Sequence, residues 1–172
     1  MLIADDGQTA ALRSPDGRLS VLRSGRDSFA IKEWLAADAD ARTPKDASLN
    51  DGVTCDAIGC IGKLADGRLV SMVLEIEAFA EDCARAAVVV SLRAAPSSAC
   101  AATLIDREVW RARGAIALRW TGNRFEQTVT RLADHERPWT RVVTSSVSGR
   151  HGAAQSAPSD AAPRPDALDA DD

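Results

Sequence analysis

The stretch from Cys55 to Ser91 constrains the fold of this chain more than any other. It sets a cysteine pair, an Asp-Gly turn signal, an apolar run, a helical pattern and a second apolar run in direct succession. The second run, Ala87 to Ser91, is apolar almost throughout, as a strand covered on both faces must be. A dozen or so residues separate it from the preceding run, Arg68 to Leu74, too many for a hairpin and enough for a helix. That order predicts a strand, a crossover helix over about Ile76 to Arg85, and a right-handed return to parallel pairing.

The flanking sequence repeats the theme. Gln8 to Arg13 and Arg18 to Arg23 are short apolar or alternating runs joined by Ser14-Pro15-Asp16-Gly17, a hairpin signature. A helix should follow, capped by Asp27 or Ser28, with Phe29, Ile31, Trp34 and Leu35 as its apolar surface and a fraying end over Ala36 to Asp40. Asp38 to Gly52 reads as a loop. A second hairpin, Cys60 to Leu64 with Arg68 to Leu74, turns on Ala65-Asp66-Gly67. The tetrad Asp-Gly-Arg-Leu thus occurs at both 16–19 and 66–69. Either these are related halves of a layered α/β domain, or a common turn has arisen twice. Further on, Ala102 to Ile105 reads as a strand, Asp106 to Arg113 as a capped helix stopped by Gly114, and Ala115 to Trp120 as a strand. Thr121-Gly122-Asn123 then turns the chain into Phe125 to Thr130.

At 172 residues, 45% of them hydrophobic and 27% charged, the chain has the makings of one ordinary domain. We place it at 1–143. The remainder, 144–172, consists mostly of Ser, Ala, Pro, Gly and Asp and is expected to be a disordered acidic tail. No apolar run approaches the ~20 residues of a membrane-spanning helix. Met1 is followed directly by Leu-Ile-Ala-Asp-Asp, without the basic and apolar regions of a secretion signal.

The ordered succession of segments at 17–43, 52–60, 66–70, 81–91 and 100–120, closing on Glu-Arg-Pro-Trp at 136–139, resembles the C-terminal soluble region of ComEC-type competence proteins. That family carries transforming DNA across the bacterial inner membrane. The resemblance implies part of a metallo-β-lactamase-like fold and a role accessory to DNA uptake in natural transformation. It also implies a partner in the membrane channel portion of such a protein, fused in a parent chain or separate. As part of a full-length protein the domain would lie on the extracytoplasmic face of the inner membrane. Expressed alone, from a split or truncated gene or a start codon placed too far downstream, it would stay in the cytoplasm.

Four cysteines, Cys55, Cys60, Cys83 and Cys100, are an even set, and the extracytoplasmic setting implied by the resemblance favours disulfides. Of the three possible connectivities, the expected one joins Cys55 to Cys60 around a small turn and Cys83 to Cys100 from the helix end to a later loop. Four reduced thiols and a zinc site are the alternatives, although the spacings are not those of close zinc knuckles.

No hydrolytic centre is expected. Metallo-β-lactamase-like hydrolases hold their metals with a His-x-His-x-Asp-His cluster and further histidines, whereas this chain has only His135 and His151. Asp5, Asp6, Asp51, Asp56, Glu81 and Asp82 could serve a carboxylate-only metal nuclease, the first alternative function, but their spacing does not demand it. There is neither a Gly-x-Ser-x-Gly elbow nor a Gly-rich phosphate loop. No cofactor, metal or catalytic residue is therefore assigned.

Single-stranded DNA is a possible partner, although the overall charge argues against nucleic acid. The net charge is −4, yet 106–141 holds eight Arg against five acids. In that segment Trp110, Trp120 and Trp139 interleave with Arg107, Arg111, Arg113, Arg119, Arg137 and Arg141, residue types that stack on bases and pair with phosphates. The DNA-binding candidates are Arg107, Trp110, Arg111, Arg113, Arg119 and Trp120. The other reading makes the tryptophans core and the arginines a solvated rim, leaving a structural module that binds a channel subunit as the second alternative function.

Overall fold

A computed structural model describes residues 1–23, 25, 28–96 and 100–132. Two five-stranded sheets form it. The first is wholly antiparallel: β1 (Leu2–Ile3), β2 (Ala10–Arg13) and β3 (Leu19–Arg23) are joined late in the chain by β9 (Ile116–Trp120) and β10 (Phe125–Val129), in the order β10-β9-β1-β2-β3. The second runs β4 (Thr54–Cys55), β5 (Gly59–Lys63), β6 (Leu69–Val73), β7 (Val88–Ser91) and β8 (Thr103–Ile105) in chain order. Its first pairings are antiparallel, and β6-β7 and β7-β8 are parallel, as the spacing between the apolar runs requires.

Strand alternation builds three apolar layers from this arrangement. Between the sheets lie Ile3, Leu12, Leu22, Ile116 and Leu118 from the first and Val70, Met72, Val88, Val90 and Ile105 from the second. On the outer face of the first sheet, Ala11, Leu19 and Val21 meet Ile31 and Leu35 of α1 (Phe29–Ala37). Val73 and Val89 on the outer face of the second sheet are covered by Phe79 and Cys83 of α2 (Phe79–Arg85). Val88, Val89 and Val90 are each 0% exposed. The run is uniformly apolar because alternate valines serve different layers.

Both Asp-Gly-Arg-Leu tetrads fold into the same turn. Ser14 and Leu64 donate to the carbonyls of Arg18 and Arg68, while Gly17 and Gly67 donate back to Ser14 and Leu64. The two glycines have φ of 81° and 83°, where a side chain is disfavoured. The cysteines pair as Cys55–Cys60, directly opposite each other on β4 and β5, and Cys83–Cys100, which ties α2 to the segment before β8.

Some expectations change in detail. Phe29 is 63% exposed, so α1 packs through Ile31, Leu35 and partly Trp34. Ser28 makes no side-chain cap, and Asp27 lies outside the described residues. The end of α1 does not fray over Ala36 to Asp40: Asp40 donates to Leu35 O and Ala39 to Ala36 O, a closed terminal motif with Ala39 at φ 53°. Asp38 to Gly52 is more ordered than a plain loop. It contains a 3-10 turn at Ala47–Asn50, and Arg42 bonds both carboxylate oxygens of Asp40 and the carbonyls of Leu19 and Ser48. The two-residue strands β1 and β4 are too short to carry any periodicity. The proposed tail, 144–172, lies outside the described residues.

Candidate nucleic-acid interface

Asp106 starts α3 (Arg107–Arg113) by accepting from the backbone N–H groups of Glu108 and Val109 with one carboxylate oxygen and from Ala95 N with the other. This acid is therefore spent on capping and on holding the preceding loop. Gly114, at φ 73°, ends the helix. With only seven residues between these stops, the face of α3 turned to the protein presents Val109 and Trp110 to the main core. Trp110 packs over Gly7, where an added Cβ would stand 2.4 Å from its Nε1, and the Nε1–H donates to Ser91 O at 3.1 Å. It plugs the sandwich at the carboxyl ends of the parallel strands β6 to β8, where sheets of this kind commonly open to ligands.

The arginines of α3 face outward. Arg107 and Arg111 are exposed and form no ion pair among the described residues, although the Arg111 guanidinium lies 6.0 Å from the Trp110 ring. Arg113 donates to Gln127 Oε1 on β10. Arg131, which the sequence reading did not single out, donates to Arg111 O at 2.8 Å and fastens the chain after β10 to the end of α3.

Trp120 lies at the far end of β9, about 13 Å along the strand from Ile116 at the rise of an extended strand. It is 40% exposed. Its ring centroid is 5.0 Å from that of Phe125, its partner across β9-β10, and the Arg68 guanidinium lies 3.6 Å from its centroid and 4.8 Å from that of Phe125. Arg68 comes from the β5-β6 turn of the other sheet, where it also pairs with Asp66. Hydrogen bonds from the Arg68 side chain and backbone hold the Asp66 carboxyl below its ordinary pKa, so the acid stays charged beside the cation. The Trp120 ring is thus partly exposed, but the guanidinium that lies on it is already paired with Asp66.

The structure thus separates the six candidates. Arg107, Trp110, Arg111 and Arg113 belong to α3 at one end of the sandwich, and Trp120 to the other. Arg119 sits directly opposite Glu126 on the outer face of the first sheet, because adjacent strand residues point to opposite faces. Arg68 and Phe125, which complete the surroundings of Trp120, were not singled out. Phe125 is only a turn away from Trp120 in sequence, whereas no local signal brings Arg68 there. Trp139, Arg137, Arg141, His135 and His151 lie outside the described residues.

The acids are locally engaged. Asp6 accepts from Gln8 N, Asp56 from Ile58 N and Gly59 N, Glu81 pairs with Arg85, and Asp82 accepts from Ser71 Oγ at 2.5 Å. Asp5 and Asp51 are exposed. Among the described residues no three His, Cys, Asp or Glu side chains gather as a metal site. No helix among them is long and apolar enough to cross a membrane. Comparison with family models, curated proteins and solved structures gives no match to this chain.

Proposed function

We propose that this chain is a C-terminal soluble fragment of a ComEC-type competence protein, of metallo-β-lactamase-like architecture but without an intact metal site. On this reading it acts in DNA uptake by contacting the incoming single strand beside a membrane channel, at the extracytoplasmic face of the inner membrane, and does not hydrolyse it. The reading rests on the segment resemblance and on a mixed α/β sandwich with helices on its outer faces.

The observation that carries the DNA contact is the distribution of cations along α3, β9 and the following turn. Between 106 and 132 there are six Arg and three acids; Arg107, Arg111 and Arg124 form no ion pair among the described residues, while Arg119 stands opposite Glu126. Cations not neutralised within the protein are available to phosphates.

Fluorescence anisotropy of a labelled single-stranded oligonucleotide, titrated with the whole chain over a salt series, tests the reading. Affinity should fall steeply and log-linearly with salt, and the slope should shrink in the triple variant Arg111→Ala, Arg113→Ala, Arg119→Ala. Absence of binding at low salt would instead favour an interaction module for a channel subunit. Plasmid cleavage abolished by alanine at Asp56 or Asp82 would favour a carboxylate-dependent nuclease.

A further inference from the structure

The first sheet ends in a free strand. β10 pairs with β9 on one side and with nothing on the other among the described residues. Its hydrogen bonding fixes which groups face outward. Thr121 donates to Arg124 O and Thr130 to Ala115 O, so the bonded positions alternate from these marks, and Glu126 and Thr128 are the residues that bond β9. The N–H and C=O groups of Phe125, Gln127 and Val129 therefore point to the open edge. Leu118, opposite Gln127, agrees: its N–H turns the other way, to Met1 O.

The other strand ends are better protected. β4 has two residues and is locked by a disulfide, β8 has three, and β3 lies against the 3-10 turn at Ala47–Asn50. β10 has five residues, unbroken register, no Lys, Pro or bulge, and, of the usual devices that blunt an edge, a single charge, Glu126.

We propose that two copies of this chain pair antiparallel through β10 about an axis at Gln127, making one continuous sheet. In this register Gln127 faces Gln127 of the second copy and Phe125 faces Val129. All outward backbone groups of the strand are then satisfied, the apolar residues meet on the core side, and Glu126 meets Thr128 on the outer face. A shift one way sets Glu126 against Glu126, a like-charge opposition. A shift the other way needs the Arg131 N–H, which is already given to Arg113 O. The strand is thus self-complementary in one register, so a second copy of this chain fits its edge. Five residues bury less than the ~1,000 Å² of a lasting interface, so the dimer should dissociate on dilution.

Sedimentation velocity of the full chain from micromolar to millimolar concentration tests the pairing, with substitutions at the exposed Thr128. Thr128→Glu sets Glu against Glu126 twice per dimer and should raise the dissociation constant about three- to tenfold, while Thr128→Lys should lower it by a similar factor. A monomer at every concentration would overturn the proposal, as would equal shifts from the two substitutions. So would slow amide exchange of Phe125, Gln127 and Val129 in dilute monomer, because residues 133–172 of the same chain would then occupy the edge.

Discussion

Whether Trp110 is a plug or a base-stacking surface can be decided by a double-mutant cycle with Gly7. A methyl at Gly7 would lie 2.4 Å from Trp110 Nε1 and 2.5 Å from Cε2, at a backbone φ of 65°. Gly7→Ala should therefore carry two costs: about 1–2 kcal/mol for a left-handed non-glycine residue and about 1–3 kcal/mol for forcing the indole aside. Trp110→Ala should itself cost about 2–4 kcal/mol, toward the lower part of the range for large aromatic truncations, since the ring is only half-buried and one hydrogen bond is lost. In the double variant the steric cost vanishes with the ring and only the conformational one remains. The penalty of Gly7→Ala should then fall by about 1–3 kcal/mol, a coupling that urea denaturation followed by circular dichroism resolves. Strict additivity would refute the packing. A Trp110→Ala protein of undiminished stability that had lost DNA affinity would instead assign Trp110 to the binding surface.

Ala39→Gly should stabilise the chain by roughly 0.5–1 kcal/mol, by relieving the left-handed alanine that closes α1; a lower urea midpoint would contradict that account. Graded dithiol reduction followed by alkylation and mass spectrometry should open Cys55–Cys60 first, because each bridge has one buried sulfur but Cys55 is exposed whereas Cys100 is half-buried. Loss of Cys83–Cys100, with a sequence separation of 17 against 5, should be the more destabilising, about 3 against about 2 kcal/mol on loop-entropy grounds. Asp40 is held at a pKa of about 2 by hydrogen bonds from the Arg42 side chain and backbone. Because its folded value is depressed, its contribution to stability is present above about pH 4, its unfolded range, and is lost as pH falls through about 2. Asp40→Asn should therefore be less stable than the parent at neutral pH and converge with it in acid; a gap that persists at pH 2 would point to shape rather than charge.

The short-range grammar of this chain was legible in its sequence. Asp-Gly at 16–17 and 66–67 set both hairpins through the backbone freedom of glycine. Asp106 and Gly114 delimited α3 by supplying a cap and a stop, and the separation of Arg68–Leu74 from Ala87–Ser91 required a crossover. Each is a property of a few neighbouring residues, so the sequence carries it directly. The end of α1 was less legible, because an alanine in the left-handed conformation gives no glycine signal. The candidate interface was legible only as residue types. Arg119 and Trp120 are neighbours in sequence, yet strand alternation sends them to opposite faces, and Trp110 is drawn inward by Gly7, from the β1-β2 connection, and by Ser91, the last residue of β7. Arg68 reaches Trp120 only because β9 and β10 cross back to the first sheet after the second is complete. Composition and turn chemistry thus determined the elements and their order. Which side chains share a surface was decided by long-range strand pairing, since only the closing of two sheets on one core fixes which face of each strand is buried and which loops converge.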